Sequence, residues 1–366
     1  MIPTLHAKQW TGATNEFNIG QLSKWAECLV TEERNGEFFL EGELPVGAPL
    51  VDQIDIDMII RAAPAPGKAM QPFRVRKIQK GDGSTIKIIA HHVSYQLTEY
   101  VVSPAFSRQS DTVQTILDDF PNFVTPSLGF LITSDVVLPN PIQPEPDTPI
   151  SVRNWIGGKG GLLELCQAQD VDPEITWDNW TVTINASRGT NTGLAVAYAQ
   201  NMDTLSFDKD AAGLVTGYYC YFLKENILAD AVAYRTNYQN FAYQRIATVD
   251  LTNTFTLPEG QYKPTDAEMQ TAADAYAAAQ GNAKLPTSIT VTAVPESLQG
   301  AHLCDTVLVL HPDYQLNHQA KIVKTIFDPI RERYTAVTIG EIKKGITDTV
   351  AEMLAGGNYD FLRIRS

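Results

Sequence analysis

The sequence predicts a mainly β fold with α+β insertions, built on two copies of one β-barrel module. Two stretches carry this reading. In 71–97, apolar residues alternate at Phe73 and Val75 and again at Ile86 and Ile88. Gly81-Asp82-Gly83 between them supplies residues that tolerate positive φ, which makes a β-hairpin. Upstream, Asp57-Met58-Ile59-Ile60 is a buried-strand run closed by Ala-Pro-Ala-Pro-Gly. The unit is strand, loop, strand, tight turn, strand. Near the other end, Asp305-Thr306-Val307-Leu308-Val309-Leu310 opens the same grammar. A loop through Pro312 and Asn317, a strand over 320–326, a turn at Asp328-Pro329 and a strand over 334–339 complete it. The spacing from Asp57 to Val75 matches that from Asp305 to Ile322 to within about two residues, as a repeat requires. The expected superposition pairs Val75 with about Ile322 and is a duplication.

Length and composition bound the remaining choices. A chain of 366 residues, 44% hydrophobic, can bury more than one core. No apolar run approaches the length of a membrane-spanning helix, so no membrane-spanning segment is expected. Residues 1–10 lack the basic start and apolar core of a signal peptide, so synthesis in the cytoplasm is expected. Cys28, Cys166, Cys220 and Cys304 are scattered without CxxC spacing and read as buried free thiols. The formal charge of −14 disfavours a protein that grips phosphate backbones, which takes clustered Lys and Arg. It does not disfavour one that nucleic acid slides past.

Along the chain, Asn35-Gly36 between alternating runs is the strongest short-range hairpin signal, so the first 100 residues are mostly antiparallel β. Ser110-Asp111 then caps a short helix over 112–120, ended by Pro121, where a second domain begins. The prolines of 139–149 forbid helix and central strand and make an extended surface loop. Gly157-Gly158-Lys159-Gly160-Gly161 leads into a short amphipathic helix over 162–166. It is not a phosphate loop, because Gly160 stands where Ser or Thr must follow the lysine. Asp178-Asn179 turns into a strand over 181–184, and strands return at 194–198, 204–207, 213–222 and 288–294. Between them Thr265-Asp266-Ala267-Glu268 is a capping box opening an Ala-rich helix that stops at Gly281-Asn282. Its alanine face serves ordinary packing or, less commonly, a partner. A last helix is expected over 342–354.

No residue pattern assigns catalysis, a cofactor or a metal. His91 and His92 are adjacent on a predicted strand and point to opposite faces, so they cannot share an ion. His6, His302, His311 and His318 show no metal-ligand spacing, GxSxG is absent, and no cysteine lies in a nucleophile motif. Asp55 and Asp57 fall on one predicted strand face and could form an acid pair, but carboxylates on the wet side of a half-buried strand are the commoner case. Trp155, Trp177 and Trp180 could stack on sugars.

The order of several short motifs resembles the hub or tail-tip proteins of phage and prophage tails. They are Asn35-Gly36 followed by 38–46, Asp57-Met58-Ile59-Ile60-Arg61-Ala62, Gln71-Pro72-Phe73-Arg74-Val75 and Ala90-His91-His92-Val93-Ser94-Tyr95-Gln96-Leu97. Ser151-Val152-Arg153, Trp177-Asp178-Asn179, Arg188-Gly189 and Asp305-Thr306-Val307 follow in turn. The family is called tail-associated lysin or prophage tail endopeptidase, and its structural relatives are baseplate hub proteins of contractile tails. The chain departs from its pattern at Gly160-Gly161 and over 167–170.

The resemblance implies a baseplate-hub-like fold, with two tube-like β-barrel modules related by duplication plus two smaller domains. The expected division is 1–105 for the first tube-like domain, 106–192 for an α+β domain, 193–225 with 286–341 for the second tube-like domain, and 226–285 with 342–366 for an inserted domain with helices. It implies a structural component of the virion tail tip and no enzyme. In longer relatives the hydrolase lies beyond the hub portion, and this chain is expected to end before one. A homotrimer would present six similar modules to a sixfold tail tube. Its partners would be the tail tube or a distal tail ring protein, tape-measure protein, and a distal spike or fibre protein. DNA would pass through the acidic ring without specific binding. The alternatives are a peptidoglycan hydrolase or endopeptidase, and a cell-surface carbohydrate-binding tail protein.

Overall fold

The computed structural model describes residues 1–12, 18–81, 83–158, 160–169, 171–209, 214–258, 260–283, 287–314 and 316–340. The helix expected over 342–354 lies outside the described residues, as do Asp82 and Lys159 of the two glycine motifs. The chain is mainly β. It forms two compact units, one of Met1–Leu205 with Thr290–Glu341 and one built on Ser206–Ile289.

Among the described residues the main sheet has thirteen strands. Its spatial order is Met202–Lys209, Thr287–Ala293, Arg333–Gly340, Leu316–Asp328, Glu27–Glu33, Phe38–Pro45, Thr85–His92, Gln71–Lys80, Ile59–Ala62, Thr4–His6 and Asn18–Gln21. Thr306–His311 pairs with Leu316–Asp328, and Asn191–Ala197 pairs parallel with Thr306–His311. No closed barrel forms among the described residues. Leu316–Asp328 gives part of its edge to Glu27–Glu33, so the two expected modules share one open path of strands.

Local sequence explains the strands well. Burial alternates strictly along Phe38–Pro45 and Thr85–His92, and their register sets Leu40 beside Ala90 and Leu44 beside Ile86 on one buried face. Asn35 turns the first hairpin at φ 55°, as the Asn-Gly pair predicts.

The two three-strand groups read from the sequence share their register. In the first, Ile60 faces Phe73 and Val75 faces Ala90; in the second, Val307 faces Ala320 and Ile322 faces Ile339. Val75 donates to Met58 O (2.8 Å) and accepts from Asp57 N (2.9 Å). Ile322 donates to Asp305 O (2.9 Å) and accepts from Cys304 N (2.8 Å). Asp57 and Cys304 are both left-handed, at φ 69° and 70°. A β-bulge follows at the same place in each group, between Val75 and Lys77 and between Ile322 and Lys324. Asp57 thus answers to Cys304, one residue from the match that the two aspartates suggested. The strand proper begins only at Ile59, because Asp55 O accepts from Met58 N in a turn. Asp55 and Asp57 therefore do not share a strand face.

Residues 101–185 form the α+β part. Leu131–Ser134 pairs parallel with Thr181–Asn185, which pairs antiparallel with Glu174–Asp178. Val113–Asp119 is helical as expected, but no side chain caps it, and Ser110 Oγ instead accepts from Thr112 N at 3.0 Å. Helix Val152–Gly157 escaped the sequence reading although Ser151 Oγ caps it by accepting from Asn154 N. Of the proline segment, Val137–Ile142 pairs with Ser110–Thr112 at its two ends only, an edge position that tolerates proline.

In the other unit, Gly217–Lys224 lies between Ile227–Tyr234 and Ile246–Asp250. The sequence reading gave this strand to the second barrel-like module; its alternate residues Tyr218, Cys220 and Phe222 instead face Met269, Ala273 and Ala277 of helix Asp266–Ala279. The capping box at Thr265 and Glu268 is complete. Part of the alanine face is thereby used in packing within the unit.

Candidate functional site

The candidate site is the junction at which Leu316–Asp328 changes partner. Up to Lys321 this strand pairs with Thr306–His311; past the bulge, Lys324, Thr325, Ile326 and Phe327 pair with Glu33, Glu32, Thr31 and Val30. Arg34 N donates to Val323 O at 2.8 Å, and Lys324 Nζ lies 3.4 Å from Glu33 and 3.6 Å from Glu37. The hairpin tip beyond it is held by the α+β part. Asn35 Nδ2 donates to Pro173 O, Asn35 Oδ1 accepts from Ile175 N, both at 2.8 Å, and Arg153 donates to Gly36 O at 3.1 Å. Asn35 thus supplies both the left-handed turn and an amide that a glycine would lack.

A buried carboxylate organises the underside. Glu174 is 1% exposed, with Lys321 Nζ at 2.6 Å on one oxygen and Arg34 Nε at 2.6 Å from the other, a close ion pair not aligned as a hydrogen bond. Arg188 N also donates to Glu174, and the Arg188 guanidinium donates to Ile175 O. Arg34 further pairs with Asp172. Glu32 lies 3.6 Å from Arg188; burial raises its pKa, and the Arg188 charge opposes that shift. Asp305 accepts from Thr190 N (2.7 Å) and His302 N (2.8 Å), fixing the chain on either side. These contacts bring Arg188-Gly189, Asp305-Thr306 and the Asn35-Gly36 hairpin into one cluster. Glu174 and Lys321 had no signal of their own in the sequence, since a lone Glu before an Ile-Thr-Trp run and a lone Lys in a strand read as wet-face charges.

The cluster is held by ion pairs and main-chain hydrogen bonds. Burial pushes the thiols of Cys166 and Cys304 up to about 11 and that of Cys28 upward as well, so they stay protonated near neutrality. His91 and His92 point to opposite faces. His92 is buried, stacked on Phe38 (centroids 4.5 Å apart), with Ser94 Oγ 3.0 Å from its Nδ1. Asp55 is on the surface with Lys8 at 2.6 Å. Trp155 and Trp177 are buried, and Trp155 donates to Pro144 O, so neither offers a face to a sugar. Among the described residues no group of three His, Cys, Asp or Glu could hold a metal ion.

His92 makes a pH prediction. Burial, then the Arg153 charge, lower its pKa to about 3, against an unfolded value near 6.5. The folded state stays neutral while the unfolded chain takes up a proton below about pH 6.5. His92 therefore costs nothing above that pH and removes stability progressively from there towards about 3. Acidification from pH 7 to 5 is expected to lower the unfolding free energy by about 2 kcal/mol through His92. His6, lowered to about 4 by burial and then by Arg61, adds to the loss. Urea titrations at the two pH values test this, and a His92→Gln variant with the full wild-type slope would refute it.

Residues 190–350 match the family described as "Prophage endopeptidase tail". The fold is similar to that of the prophage tail protein gp18 of Listeria monocytogenes EGD-e, at 15% identity and TM-score 0.56, covering 97% of this chain and 100% of that one. The 43 kDa tail protein of prophage MuSo2 from Shewanella oneidensis is similar at 11% identity and TM-score 0.58, covering 94% and 98%. A tail protein of Neisseria meningitidis MC58 is similar at 11% identity and TM-score 0.54, covering 93% and 96%. No curated protein matches the chain significantly.

Proposed function

We propose that this chain, with residues 190–350 of prophage-tail type and the fold of prophage tail proteins, is a structural hub at the tip of a phage or prophage tail. The shared register of the two strand groups carries the reading: left-handed residue, reciprocal hydrogen bonds and bulge recur at equivalent positions. In this reading they descend from a duplication, and each chain contributes two equivalent tube-like modules. The first is residues 1–105; the second is 193–209 with 287–340, interrupted by an inserted domain in the place of the first module's Asn35-Gly36 turn. Residues 106–192 brace the joint between modules through Glu174 and Pro173.

Three chains would then present six modules to a sixfold tube, with the tail tube or a distal tail ring protein above and a distal spike or fibre protein below. Tape-measure protein and DNA would pass through the channel; in this reading part of the formal charge of −14 per chain faces the lumen and repels DNA phosphates. A surface-potential map of the ring, with a gel shift at low salt, tests this last point: a basic channel or salt-sensitive duplex binding overturns it. An enzymatic role is not part of this reading. Among the described residues no helix is long and apolar enough to cross a membrane.

Light scattering with negative-stain class averages tests the hub. The expected result is a trimer with a pseudo-sixfold ring and a central channel. A dimer, or a ring without that pseudosymmetry, would overturn it, and lysis of host cell walls in a zymogram would favour the hydrolase reading instead.

A further inference from the structure

Asn35-Gly36 is the only asparagine-glycine pair in the sequence, and it lies where the joint closes. That pair is chemically labile. Glycine has no side chain to shield its own nitrogen, so the Gly36 nitrogen can reach the side-chain amide carbon of Asn35 once the turn is free to move. In the folded chain both reacting groups are engaged. Asn35 Nδ2 donates to Pro173 O and Asn35 Oδ1 accepts from Ile175 N, each at 2.8 Å, while Gly36 N donates to Glu33 O at 3.1 Å. Arg153, with its guanidinium carbon 3.9 Å from the centre of the Tyr95 ring, donates to Gly36 O at 3.1 Å and fixes the next peptide.

We propose that Asn35 is a deamidation site gated by the joint: while Pro173 and Ile175 hold its side chain it keeps its amide, and each opening exposes it to a reaction that does not reverse. The step needs only water. Gly36 N bonds to Asn35 Cγ, the Cγ–Nδ2 bond breaks, and the amide nitrogen leaves as ammonia with the proton that Gly36 N gives up. Water then opens the cyclic imide at one of its two carbonyls, giving aspartate, or isoaspartate with one more atom in the main chain. Attack requires an aligned approach of about 3–3.5 Å by a nitrogen that has lost its proton. A Gly36 nitrogen donating to Glu33 O keeps that proton, and an amide held at both ends does not turn to meet it.

The product does not rebuild the joint. An ionised aspartate has no hydrogen for Pro173 O, so one of its oxygens faces a carbonyl oxygen across the former hydrogen bond. Its charge is added to a turn that already carries Glu33 and Glu37, with Lys324 beside both. Isoaspartate lengthens the turn by one atom, so Glu27–Glu33 and Phe38–Pro45 no longer close their hairpin as they do here. The fraction of time that the joint spends open sets the rate, and every reacted chain has lost its hold on Pro173. The chemistry is the same whatever the chain does on a tail.

The test uses the full chain, kept at mildly alkaline pH either folded or in urea and then digested for mass spectrometry. The readout is the mass gain at residue 35, with aspartate and isoaspartate resolved. Asn35 is expected to react at least about tenfold more slowly in the folded chain than in urea. Arg153→Gln and Lys321→Met loosen the joint from two sides, at Gly36 O and at Glu174, and should each raise the folded rate several-fold while leaving the rate in urea unchanged. Asn35→Asp, the product made directly, should unfold at a lower urea concentration than wild type. A folded chain that reacts as fast as the unfolded one, or folded variants that react at the wild-type rate, overturns the gate. Asn35→Asp with an unchanged urea midpoint overturns the permanent release. The wild-type comparison needs no substitution and decides the gate if neither variant folds.

Discussion

Glu174→Ala is expected to lower the unfolding free energy by about 3 kcal/mol, because it removes the buried carboxylate partner of Lys321 and leaves Arg34 with Asp172 alone. Lys321 and Arg34 lie 2.6 Å from opposite oxygens of a carboxylate that is 1% exposed, and the Arg188 amide also points at it. Lys321→Met removes one cation and leaves Arg34 to balance the carboxylate, so it should cost clearly less. The loss should change little when salt is raised, since screening acts weakly on buried pairs. Urea unfolding of the two variants at low and high salt measures all three points. A Glu174→Ala change below about 1 kcal/mol would place this network among weak surface pairs instead.

Gly189→Ala is the second large effect. Gly189 sits at φ 75°, and a Cβ there would lie 2.1 Å from Cys304 O and 2.6 Å from Asp305 N. The left-handed conformation costs an alanine about 1–2 kcal/mol, and forced backbone movement about 1–3 more. A loss of about 3 kcal/mol is therefore expected, and it should be accompanied by changed amide exchange at Cys304 and Asp305. Gly193→Ala, also at positive φ but with open space around the new methyl, is the control that carries the conformational cost alone. Equal losses for the two would show that the close approach to Cys304 is not felt.

Legibility varied with the range of the interaction. Asn35-Gly36, the alternation along 38–45 and 85–92, and the Thr265 capping box were all readable, since each depends on residues within a turn or a strand pair of one another. Helix Val152–Gly157 was missed because its three buried residues fall within six positions, too few to show a period. Of the run read as β over 213–222, the structure has a strand from Gly217, and it lies in another sheet than expected, because an alternating strand does not state which partner covers its apolar face. Of the site, Arg188-Gly189 and Asp305 were flagged only by order and resemblance, and Glu174 with Lys321 not at all.

By itself the sequence determined the β character, the hairpin positions and the spacing of two similar strand groups, all consequences of side-chain period and of residues that accept positive φ. Only the tertiary structure decided that the groups join in one open sheet at Lys324–Phe327, and that Asp57 corresponds to Cys304. Pairing between distant strands rests on main-chain groups that every residue shares, so its register leaves little trace in residue identity. A left-handed φ can likewise be held by contacts around an aspartate or a cysteine alike.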